Sequence, residues 1–99
     1  PDYVLAPEDK LEAFVDASRA AVERMFPTIK DNPDYTSIVA QRHYERITGY
    51  LDDARAKGAE IVTLAPPGEN FSQQEFRKIP PTLVLNPTDD MKVMQEEIF

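Results

Sequence analysis

Apolar side chains recur at steps of three and four through the first third of the chain. Leu11, Phe14, Val15, Ser18, Val22, Met25 and Phe26 fall on one line, the spacing of a single helical stripe turned toward a core. Glu12, Asp16, Arg19 and Glu23 lie opposite, with Asp16–Arg19 and Arg19–Glu23 at pairing distance. Pro7-Glu8-Asp9 opens this helix, because proline suits a first helical position and acids suit the positive end of the helix dipole. Pro27 closes it. A second helix is predicted from Gln41 to Lys57, burying Tyr44, Ile47, Leu51 and Ala54. Arg55 and Lys57 suit its last turn and Gly58 its exit.

Short apolar runs elsewhere read as strands. These are Asp2–Ala6, with β-favouring Tyr3 and Val4, then Ile61–Leu64 and Leu83–Leu85. Asp31-Asn32-Pro33-Asp34 is a turn, residues 65–78 are loop, and Met91–Gln95 is a short helical segment. The pattern predicts an α/β fold: a small mixed sheet of about three strands, two long helices and a short C-terminal helix. The distance in sequence between the first two strands permits a parallel crossover. The loop between the last two favours an antiparallel pair.

Composition narrows the functional classes. The 99 residues make one domain at most, and the net charge of -7 argues against nucleic acid or anionic membrane as partner. With no Cys there is no disulfide, thiolate metal site or cysteine nucleophile within these residues. No apolar run approaches a membrane span, and the N-terminus does not read as a signal peptide, so a cytoplasmic location is expected. The apolar Ile98-Phe99 ending and the start at Pro1 read as a piece of a longer protein, with a processed small protein as the alternative.

Candidate chemistry is sparse. His43 is the sole histidine, without acid ligands at metal spacing or a Ser or Cys partner, so an ordinary packing role is the simpler reading. Asp52-Asp53, Asp89-Asp90 and Glu96-Glu97 are adjacent acids, which point apart and normally face water. Asn70-Phe71-Ser72 fits a glycosylation sequon on three residues alone. Arg42 and Arg46 lie one turn apart and could bind a phosphate or simply face solvent.

The tail takes the reading further. Pro81-Thr82-Leu83-Val84-Leu85, the Asp90-Met91 turn and Glu96-Glu97-Ile98-Phe99 resemble a signature of the aldehyde dehydrogenase superfamily. Pro1-Asp2-Tyr3-Val4-Leu5 is similar to the segment that follows that family's catalytic cysteine, and Arg42-His43-Tyr44-Glu45-Arg46-Ile47 resembles a region of its fatty and aromatic aldehyde branch. Asp31–Ile38 and Phe71-Ser72-Gln73-Gln74 are most similar to bacterial coniferyl aldehyde dehydrogenases. The resemblance implies part of a catalytic domain that oxidises an aldehyde with NAD or NADP. It implies that the Glu97 carboxylate accepts hydrogen bonds from the nicotinamide ribose, that Phe99 packs beside that ribose and ring, and that Arg46 and His43 approach the cofactor from another side. The nucleophilic cysteine, the general base and the glycine-bearing cofactor turn are not among these residues, so they are expected to be inactive alone. Unpaired sheet edges predict a homo-oligomer. The competing reading is a free-standing α/β protein-interaction domain without catalysis.

Overall fold

The computed structural model describes residues 2–99. A 3-10 turn, Glu8–Lys10, leads into α1, Leu11–Met25; α2 is Gln41–Ala56, β1 Glu60–Thr63, β2 Thr82–Leu85 and α3 Lys92–Gln95. Pro7 immediately precedes the 3-10 turn, and α1 stops two residues before Pro27. The exit from α2 depends on Gly58 at φ 93°. There the Gly58 N–H donates to the Arg55 carbonyl and the Ala59 N–H to the Ala54 carbonyl, a paired closure that needs a left-handed residue.

Among the described residues the sheet has two strands rather than three. β1 and β2 pair antiparallel, from Glu60 opposite Leu85 to Thr63 opposite Thr82, as expected for that pair. The expected strand over Asp2–Ala6 does not form, and the parallel crossover goes with it. Tyr3 and Val4 favour strands, but a strand is made by pairing its backbone, and no partner meets this segment among the described residues; Leu5 is 90 % exposed. The expected Asp16–Arg19 and Arg19–Glu23 pairs are also absent among the described residues, where ion pairs join Lys10 to Asp9, Arg55 to Asp52 and Lys57 to Asp53.

The core lies where the end of α1 meets the sheet. Val22, Ile29 and Leu64 are buried, with Phe26, Tyr35, Val62, Phe71 and Leu83 packed against them. The Phe26 and Tyr35 rings meet edge to face at 5.1 Å. Of the α1 stripe Val22 alone is buried; Leu11, Phe14, Val15, Ser18 and Phe26 are half-buried, and Met25 faces solvent.

The long loop between β1 and β2 straps this core through polar contacts. The Ile29 and Lys30 N–H groups donate to the Glu69 carboxylate, and the Lys78 ammonium donates to the Ile29 and Asn32 carbonyls at 3.0 and 2.6 Å. The turn after α1 is thus gripped on its N–H side by an anion and on its carbonyl side by a cation. The Tyr35 hydroxyl donates to the Ile79 carbonyl at 2.6 Å, and burial pushes its phenol pKa up. Gln74 braces the loop from within, bonding both the N–H and the carbonyl of Lys78.

Candidate functional site

Residues 90–98 lie along one face of α2. Met91, 1 % exposed, anchors the approach. The first N–H of α3, at Lys92, donates to the Asp53 carboxylate at 2.9 Å. The Lys57 ammonium meets the same carboxylate at 3.1 Å and donates to the Asp90 carbonyl at 2.6 Å. α3 therefore takes its N-terminal cap from a neighbouring helix, since its own flanking Met91 supplies none. The Lys92 N–H, assisted by Lys57, holds the Asp53 carboxyl below the usual aspartate range. That stabilisation is complete above the unfolded aspartate pKa and disappears as pH falls through the lowered one.

Two to three turns earlier on α2, Arg46 grips the tail itself. One guanidinium nitrogen donates to the Glu97 carbonyl at 3.2 Å and the other to the Ile98 carbonyl at 2.6 Å. The guanidinium stacks over the ring of the buried Tyr50, 5.3 Å from its centroid. A planar fork with fixed donors suits two successive carbonyls in a way that a single ammonium does not. Tyr50 was not on the expected buried face; it flanks that face next to Ala54 and is buried with the Arg46 guanidinium over its ring.

The four residues singled out from the sequence are placed differently from one another. Arg46 is joined to the main chain of Glu97 and Ile98. The Glu97 carboxylate is exposed and has no hydrogen-bond partner among the described residues; the Phe99 ring is fully exposed. His43 is half-buried, one turn before Arg46, and its side chain makes no hydrogen bond among the described residues. Arg42 is exposed. Of the adjacent acids, Asp52 faces solvent beside Arg55 while Asp53 turns inward to cap α3. The Asn70 side chain accepts bonds from the Ser72 N–H and hydroxyl, shaping a local turn.

Three residues of the polar framework carried no individual signal. Asp53 is half of a charged pair, and Glu69 and Lys78 sit in loop sequence. Glu69 and Lys78 also border a cleft of ≈ 410 Å³ with Tyr44, Thr48 and Leu51 of α2, but both charges are engaged with the turn after α1. One signal was readable: Arg46, Tyr50, Asp53 and Lys57 follow steps of four, three and four, a single line along a helix. No group of His, Asp and Glu suited to a metal ion occurs among the described residues.

The aldehyde dehydrogenase family model matches residues 2–99. The chain belongs to the aldehyde dehydrogenase family. Over its full length it is 72 % identical to a probable coniferyl aldehyde dehydrogenase of Caulobacter vibrioides and 52 % identical to one of Pseudomonas aeruginosa, in each case covering 20 % of the relative. It is 46 % identical to a coniferyl aldehyde dehydrogenase of a Pseudomonas species, covering 21 % of it. The chain thus spans about one fifth of the length of these curated relatives. No solved structure matches it.

Proposed function

We propose that the protein carrying this segment oxidises an aldehyde, coniferyl aldehyde or another aromatic aldehyde, to the carboxylic acid with NAD or NADP, and that the segment seats the nicotinamide ribose. The observation that carries this reading is the Glu97 carboxylate: exposed, unpartnered among the described residues, and set on a backbone that Arg46 holds. An ionised carboxylate offers acceptor sites on two oxygens, enough for both hydroxyls of a vicinal diol. The exposed Phe99 ring is an apolar wall that can restrict how a flat ring lies. The dinucleotide, when bound, supplies the hydride acceptor. Arg46 fixes the Glu97 main chain, and Glu97 orients the sugar. His43, on the same side of α2, contributes to the cofactor surroundings in this reading.

The partners are the dinucleotide and the aldehyde, with neither nucleic acid nor a membrane among them. The net charge of -7 supports the first exclusion. No helix among the described residues is long and apolar enough to cross a membrane. A cytoplasmic location and homo-oligomeric assembly complete the reading; the outer edges of the two-stranded sheet, unpaired among the described residues, and the exposed Val39 support assembly.

Two measurements test it. The 99 residues alone are expected to form no NADH from an aldehyde and NAD, because they contain no cysteine nucleophile; turnover would refute the division of labour. In the full-length protein, Glu97→Gln is expected to raise the KM for dinucleotide about 10- to 100-fold, the loss of a hydrogen bond to a charged acceptor. An unchanged dinucleotide KM would overturn the assignment of Glu97.

A further inference from the structure

We propose that one face of α2 is a positioning rail, on which Arg46 and Asp53 act through the main chain of residues 90–98 to set where the Glu97 carboxylate stands. The inference rests on the ribose-seat reading above and adds residues to it. Arg46, Tyr50, Asp53 and Lys57 stand at helical steps of four, three and four, so the whole length of the tail meets a single rigid element. Its contacts are main-chain contacts at both ends. Asp53 and Lys57 take the Lys92 N–H and the Asp90 carbonyl at the start; Arg46 takes the Glu97 and Ile98 carbonyls at the end. Main-chain contacts leave the Glu97 side chain without a partner among the described residues while fixing the residue that bears it.

The arrangement matters because, beyond the buried Met91 at its start, the tail is weakly anchored among the described residues. α3 is four residues long, far below the length at which a helix is stable by itself. Glu96 and Glu97 are exposed, and Ile98 is only half-buried. A carboxylate on such a segment would sample many positions, and orienting it at the moment of binding would oppose affinity. The rail removes that freedom in advance. The Arg46 fork is itself steadied by the Tyr50 ring beneath it. Arg46 is therefore a positioning residue whose effect on the dinucleotide passes through Glu97.

The test uses the full-length protein with Arg46→Ala, Arg46→Lys, Asp53→Ala, Glu97→Gln and the Arg46→Ala/Glu97→Gln double variant. Two quantities are read: hydrogen–deuterium exchange of the peptide covering residues 92–99 without ligand, and the dissociation constant for NADH by fluorescence titration. Arg46→Ala and Asp53→Ala are expected to speed exchange in that peptide and to weaken NADH binding about 10-fold, the cost of ordering at the moment of binding a side chain that was held in advance. Arg46→Lys, which keeps the charge and one carbonyl contact, is expected to fall between Arg46→Ala and the parent protein, and it remains informative if Arg46→Ala does not fold. The double variant is expected to bind NADH no more weakly than Glu97→Gln alone, because residues acting through one another are not additive. Unchanged exchange in the Arg46 and Asp53 variants, or additive losses in the double variant, would overturn the rail. Unchanged NADH binding in Glu97→Gln would instead overturn the ribose seat, while the exchange data would still report on the rail.

Discussion

Replacing Ile29 by alanine is expected to destabilise the chain by about 2–5 kcal/mol, the range for truncating a fully buried aliphatic side chain. Ile29 has no solvent exposure and sits in the core with Val22 and Leu64. Its backbone is bound on both sides as well, the N–H by Glu69 and the carbonyl by Lys78. That double grip limits how far the turn can move to fill the space left by the lost atoms, so the upper half of the range is expected. Ile29→Val, which removes one methylene, is expected to cost about 0.5–1.5 kcal/mol. Urea unfolding followed by circular dichroism measures both. Equal costs for the two variants would show that the site collapses freely and that the turn is not held as described.

Replacing Lys78 by methionine is expected to cost about 2–3 kcal/mol in the same measurement. Lys78 is 5 % exposed, and its ammonium donates to two carbonyls of one turn. Each carbonyl also accepts a turn hydrogen bond, Ile29 from the Asn32 N–H and Asn32 from the Tyr35 N–H. The variant therefore loses two charge-assisted bonds without leaving either acceptor wholly unpaired, which sets the figure below that for an orphaned charge. Methionine keeps most of the stem, so the change reports mainly on the ammonium. Ile29→Ala and Lys78→Met act on one turn, and their combined cost is expected to differ from the sum by about 0.5–3 kcal/mol. A loss within about 0.5 kcal/mol for Lys78→Met would place the ammonium contact among incidental surface interactions.

The same turn shows why part of the site was hidden in the sequence. Asp31-Asn32-Pro33-Asp34 announces a bend by its residue types, but nothing in those letters states that Glu69 and Lys78, some forty residues later, will close on it. Asp53 is a sharper case. Beside Asp52 it reads as one of two solvated acids, and the two differ only because one points at Lys92 and the other at Arg55. Tyr50 likewise lies off the stripe of Tyr44, Ile47, Leu51 and Ala54, yet it is buried, with the Arg46 guanidinium over its ring.

By itself the sequence determined both long helices, the exit of α2 at Gly58, the antiparallel pair of strands and the family signature in the tail, because each is written in neighbouring residues through period, capping or turn chemistry. The tertiary structure decided that Asp2–Ala6 is not a strand, that the loop grips the turn after α1, and that α2 carries residues 90–98 along a second face. Those outcomes depend on which backbone groups find a partner across the fold, and a hydrogen bond between distant residues leaves no local period to read.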